Sequence, residues 1–168
     1  MKVCKGNIPS GSLTEGYLPV DYSDVYVCQV DDLKDITPDD IMVSFWTAMP
    51  KWVDNLFKLR NLLVKPLGLK TEEESKFADL ERCIRTGGEA GMVSVPGKSH
   101  DETILKLTDK HLTAYISVYI EGRRNVYATT LVSFHKKIGY MYFYTIYPFH
   151  HIVVRRLLKS TMERLTGK

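Results

Sequence analysis

The chain of 168 residues has no apolar run approaching the roughly 20 residues that a membrane-spanning helix requires. Its start, MKVCKGNIPSGSLTEG, lacks the apolar core of a signal peptide. A membrane span is excluded on this reading, and the expected setting is cytoplasmic. Cysteine is scarce too: Cys4, Cys28 and Cys83 form an odd, scattered set without a C-x-x-C pair. That excludes a disulfide framework and a cysteine zinc site, and favours reduced thiols. Charge of one sign is not in excess, since 23 Lys and Arg against 20 Asp and Glu leave +3. No nucleic-acid partner is called for. The chain also lacks an internal repeat, a low-complexity tract, a nucleophile elbow and a Ser-His-Asp spacing. Residues 1–168 therefore read as one domain, with no catalytic residue assigned and no cofactor implied.

What is present is apolar and aromatic content, 44% and 11% of the residues, enough for a sizeable core. Residues 1–21 are rich in Gly, Pro and Ser and read as an irregular lead-in. The segment DVYVCQV has the β-branched and aromatic content of a first strand. A helix should follow in ITPDDIMVSFW, with Thr37 as cap, Pro38 at the first helical position, and Asp39 and Asp40 at the positive end of the helix dipole. Pro50 closes it and opens a second helix, in which Trp52, Leu56, Leu59 and Leu63 recur at helical spacing until Pro66 and Gly68 stop it. LERCIR reads as a strand. From Gly91 onward MVSVP, ETILKLT, HLTAYISVYI, VYATTLVSFH and YMYFYTIY are separated by turns of hairpin length and predict an antiparallel meander. The last element is a helix begun by Pro148 and ended by Gly167, with His150, Val154, Leu157, Leu158, Thr161 and Leu165 along one stripe.

Centring the turn after Ile120 on Arg123 sets His111 opposite His135 and sorts the meander into two faces. One carries Leu112, Ala114, Ile116, Val118, Ala128, Thr130, Val132 and Phe134, joined by Met141, Phe143, Thr145 and Tyr147, and should meet the final helix. The other carries Tyr115, Tyr119 and Tyr127, joined by Tyr142 and Tyr144. The same arithmetic puts His150 and His151 far from His111, so the five histidines form no single site. Adjacent residues of a helix do not share a metal as residues four apart do, and no metal ligand is assigned. Arg155, Arg156, Lys159 and Arg164 read as a solvated basic edge near a helix C-terminus, not as a phosphate or nucleic-acid site.

The segments PKWVDNLFKLRNLLVKPLGLK (50–70), DKHL (109–112), TLVSFHKKIGYMYF (130–143) and YPFHHIVV (147–154) resemble a bacterial family of unknown function. That family lies in the START-like, or SRPBCC, superfamily of birch-pollen-allergen-like proteins and polyketide cyclases. The resemblance spans residues 22–166. It implies an α+β helix-grip fold, with a curved antiparallel sheet of six or seven strands wrapped around a long C-terminal helix and two short helices after the first strand.

On that fold the expected function is binding of a small apolar or amphipathic molecule between sheet and C-terminal helix. The residues expected to line the site are Trp46, Ile116, Val118, Thr130, Phe134, Met141, Phe143, Tyr147, His150 and Leu158. A filled core accounts for the same apolar face, since such faces are buried with or without a ligand. Two alternatives stand beside it. One is an enzyme of the cyclase or hydrolase type, with His150, Thr130 and Tyr147 projecting into the cavity. The other is a homodimer formed through Tyr115, Tyr119, Tyr127, Tyr142 and Tyr144, whose rings are apolar in body and polar at the tip.

Overall fold

A computed structural model of the chain describes residues 1–47, 77–108 and 110–167. Seven strands form one antiparallel sheet: β1 (Val3–Lys5), β2 (Tyr22–Gln29), β3 (Glu89–Ala90), β4 (Val93–Lys98), β5 (Glu102–Thr108), β6 (Leu112–Glu121) and β7 (Asn125–Phe134). Their order across the sheet is β1-β2-β7-β6-β5-β4-β3. The described helices are α1 (Pro38–Thr47), α2 (Phe77–Thr86) and α3 (Lys137–Thr166). The architecture is α+β, with an antiparallel sheet and a long C-terminal helix. In β6 and β7, Leu112 pairs with Phe134 and Glu121 with Asn125, so His111 and His135 meet as expected, joined by a backbone hydrogen bond of 2.8 Å. Gly122 and Arg123 take positive φ at the hairpin tip, which closes a tight turn.

Strand periodicity gives the sheet an inner face built on Tyr26, Cys28, Leu105, Val118, Val126 and Ala128. Leu158 and Met162 of α3, Ile41 and Met42 of α1, and Ile84 of α2 complete this core. The stripe expected on the final helix is the one that packs: Leu158 and Thr161 are fully buried, and Val154, Leu157 and Leu165 lie against the core.

Polar ties hold α1 in place over the sheet. Thr37 and Asp40 cap it reciprocally, the Asp40 amide donating to Thr37 Oγ1 at 3.2 Å and the Thr37 amide to Asp40 Oδ2 at 3.0 Å. Thr103 of β5 donates to Asp39 at 2.6 Å, and Lys98 of β4 bonds both Asp39 and the last carbonyls of α2, those of Ile84 and Arg85. Arg164 of α3 donates to the Ser44 carbonyl at 3.1 Å. Arg164 is exposed, as expected, and also ties α3 to α1.

Three expectations are corrected. YMYFYTIY is helix, because α3 begins at Lys137, with only His135 and Lys136 between it and β7, and runs through Pro148. Its aromatic residues suit a pleated surface by composition, but Tyr140, Phe143, Tyr144, Tyr147 and His151 also fall at helical spacing. They stack along the helix, with Tyr140–Tyr144 and Tyr147–His151 ring centroids 4.5 Å apart. LERCIR belongs to α2, where Leu80, Cys83 and Ile84 recur at i, i+3 and i+4. The lead-in is ordered: it supplies β1 and a 3-10 turn, Leu13–Tyr17, that covers the outer sheet face. There Glu102, 1% exposed, accepts from Ser12 Oγ at 2.8 Å, the Leu13 amide at 2.6 Å and Ser117 Oγ at 2.5 Å. The second helix expected after Pro50, with Trp52, Leu56, Leu59 and Leu63, lies outside the described residues.

The start of α3 is pressed onto the β6 end of the sheet. A Cβ on Gly139 would collide with the His111 carbonyl oxygen, which is backbone and cannot rotate away. Gly139→Ala should therefore destabilise the protein by about 1–3 kcal/mol, outweighing the ~1 kcal/mol that Ala normally gains over Gly in a helix. Urea unfolding would measure it, and an unchanged or raised midpoint would refute the close approach.

Candidate functional site

The contact between the middle of α3 and the sheet face centres on Asp24. In β2 the alternation Tyr22, Asp24, Tyr26, Cys28 turns these four side chains to the inner face, and Asp24 lies directly across from Thr130 of β7. The Asp24 side chain is 1% exposed. Tyr22 donates its hydroxyl to Asp24 Oδ2 at 2.9 Å. His150 Nε2 stands 3.1 Å from the same oxygen, close enough for an ion pair though off the line of a straight hydrogen bond. His151 Nδ1 is 3.7 Å from Oδ2 and bonds the Tyr26 hydroxyl at 2.7 Å. Consecutive helix residues project about 100° apart at 3.6 residues per turn, so the two histidines straddle the line of contact between α3 and β2.

Burial pushes the Asp24 carboxyl up. The neighbouring His150, with the Tyr22 and Thr130 hydroxyls, pushes it down further, and it stands below its ordinary value. Burial also raises Tyr22, and the Asp24 charge adds to this, so the phenol stays protonated. Burial lowers His151 against the opposing pull of Asp24. The result is a carboxylate held in its ionised form beside a protonated phenol. Two thiols offer no competing nucleophile: burial pushes Cys28 up to about 11 and also raises Cys83.

On the His150 side a cavity of about 170 Å³ opens between α1, α3 and the sheet. Phe45, Trp46, Ile116, Ala128, Val153, Val154 and Leu157 give it apolar walls, and Thr130 and His150 a polar end. Trp46 Nε1 is buried with no hydrogen-bond partner among the described residues. Of the expected lining residues, Trp46, Ile116, Thr130 and His150 come together here. Phe134, Phe143 and Tyr147 instead build an aromatic cluster: the Phe143 centroid lies 4.5 Å from Tyr22, 5.5 Å from Phe134 and 5.9 Å from His150. Val118 and Leu158 are fully buried in the core. Met141 is 61% exposed and faces away, because the strand expected to turn it inward is a helix.

The five-tyrosine belt is also corrected. Tyr115, Tyr119 and Tyr127 lie on the outer sheet face, where Tyr17 covers Tyr115 at 4.3 Å. Tyr142 and Tyr144 belong to α3, which packs on the inner face, so the sheet separates the two groups. Sequence reasoning missed Asp24 together with Tyr22, Tyr26 and the role of His151. The available signal was an aspartate at an inward position of an otherwise apolar strand face.

These observations define an α+β protein whose antiparallel sheet holds a small cavity against two helices, with a buried carboxylate and imidazole at its polar end. Residues 18–157 match the family described as a protein of unknown function (DUF2867), and the chain belongs to that family. Nothing matches among curated proteins or solved structures.

Because Asp24 is held below its unfolded value, its ionised form contributes stability that is present above the unfolded pKa of about 3.9 and is lost as pH falls through the folded value. Asp24→Asn should be less stable than wild type at neutral pH, with the gap closing as pH drops below about 4. Thermal midpoints of both proteins across that range would show it. A gap that persists unchanged in acid would mean that the carboxylate's charge is not what stabilises the contact.

Proposed function

We propose that the protein binds a small amphipathic molecule, about one aromatic ring in size, in the cavity between α1, α3 and the sheet. The carrying observation is the cavity: apolar walls and one polar end, His150 and Thr130, backed by buried Asp24. Size decides the class of ligand. A dry apolar cavity of about 150 Å³ takes benzene, whereas drug-sized ligands occupy pockets of about 300–1,000 Å³. At about 170 Å³ the space suits one ring with a hydroxyl or similar polar group, not a fatty acid or sterol. The antiparallel sheet and long C-terminal helix support the helix-grip arrangement of START-like proteins, to which we assign the chain on this reading.

One observation favours a second reading, an enzyme of the cyclase or hydrolase type. His150 Nε2 lies 3.1 Å from a buried carboxylate at the end of an apolar cavity, the neighbourhood that a proton-transferring imidazole needs. Tyr147, grouped with His150 for that role, lies in the aromatic cluster 6.2 Å from Phe143 and does not line the cavity. Turnover of a bound compound that is lost in Asp24→Asn, with its affinity retained, would establish this reading over simple binding.

The binding proposal is tested with benzene and phenol. Phenol should bind wild type more tightly by about 3- to 10-fold, the worth of one neutral hydrogen bond. Thr130→Val with His150→Phe should erase that preference, and Ala128→Leu, which puts three further carbons into the space, should abolish binding of both. Calorimetric titration and ligand-dependent thermal midpoints would measure this. Binding that survives in Ala128→Leu would put the ligand elsewhere, and no binding of either compound to wild type would leave the cavity without this role.

A further inference from the structure

On the His151 side of the Asp24 cluster lies a second and larger concavity, an open groove of about 890 Å³ between β1 and α3. Its walls carry Lys2 and Lys5 from β1 and its flank, and Arg155, Arg156 and Lys159 from α3. None of its lining residues is acidic, although the chain holds 20 Asp and Glu against 23 Lys and Arg. Lys159 also meets Glu163 at 3.6 Å, in a pair open to solvent. Arg155 and Lys159 are like charges at i and i+4, an arrangement that costs free energy in the unliganded helix. The β1 register adds to this by placing Lys5 opposite Tyr26, so that it shares the face turned toward α3. The floor is aromatic and polar, formed by Tyr26 and His151 joined at 2.7 Å.

We propose that this groove is a binding site for a phosphate-bearing small molecule of about nucleotide size, distinct from the cavity on the other side of Asp24. Lys2, Lys5 and Arg155, converging from both walls of one groove, suit several negative charges in a compact group, which a diphosphate supplies and a single carboxylate does not. The groove's volume falls within the range of small-molecule sites, roughly 300–1,000 Å³, and leaves room for an organic remainder over Tyr26, His151 and exposed Ile152. The sequence alone shows only the α3 half of this patch. The Lys2 and Lys5 half becomes visible once β1 is known to be the edge strand beside β2.

The probe is inorganic pyrophosphate, titrated calorimetrically into wild type, into Lys5→Gln/Arg155→Gln, and into Arg82→Gln, a change at an exposed arginine on α2. Wild type and Arg82→Gln should bind alike. The groove variant should bind at least about tenfold more weakly while melting no lower than wild type without ligand, because repulsion has been relieved. In wild type the ring resonances of His151 should shift on titration while those of His111 and His135 stay in place. A parallel arm uses phosphatidylglycerol in phosphatidylcholine vesicles. Binding to vesicles without binding of pyrophosphate would overturn the small-molecule assignment in favour of a lipid surface. Absence of binding at millimolar pyrophosphate, equal affinity in the groove variant, or shifts confined to the other histidines would overturn the site itself.

Discussion

A carboxylate buried under a helix constrains everything around it, because an ionised Asp removed from water must find partners or be expelled. Asp24 finds them at Oδ2, in Tyr22 on its own strand and His150 on α3, with Thr130 across the ladder, while Oδ1 has no hydrogen-bond partner among the described residues. Meeting that requirement fixes the rotation of α3 as well as its height over β2. With His150 above Asp24, the helical period carries Val154, Leu157, Leu158 and Thr161 onto the sheet in turn. His151 is carried to the other side, onto Tyr26. The cavity and the basic groove are the two flanks of this one contact.

The remaining architecture secures that arrangement from both sides. On the outer face Glu102, itself buried, pins the N-terminal segment by accepting from Ser12, the Leu13 amide and Ser117. Val25, Ile104 and Leu131 are buried on that face. On the inner face Asp39, Asp40, Lys98 and Arg85 lock α1 to β4, β5 and α2. That lock matters to the site, because α1 contributes Phe45 and Trp46 to the cavity wall. Anchoring of α1 to the sheet and of α3 to α1 is the kind of preorganisation that lowers the ordering cost of the proposed binding.

Local signals were legible wherever one element's own chemistry decided its form. The Thr37-Pro38-Asp-Asp start of α1, the extents of β5, β6 and β7, the hairpin register that pairs His111 with His135, and the glycine that ends α3 all follow from caps, alternation and turn residues. The buried stripe of α3 from His150 to Leu165 was legible for the same reason. Part of the cavity was therefore within reach: Trp46, Ile116, Thr130 and His150 could be named from the pattern together with the fold that the resemblance implied.

Residues 140–147 were not legible, because their aromatic side chains satisfy a strand and a helix equally well and only packing against Phe134 and Tyr22 decides between them. Choosing the helix moved Met141 to the surface, took Phe143 and Tyr147 out of the cavity and dissolved the five-tyrosine face. By itself the sequence determined the α+β class, the sheet alternation and the apolar stripe of the last helix, since each depends on neighbours within a turn or a hairpin. Only the tertiary structure decided that Asp24 would meet His150, or that Lys5 would stand across from Arg155. Those pairs lie more than a hundred residues apart, and their meeting depends on strand order and helix rotation, which no local pattern encodes.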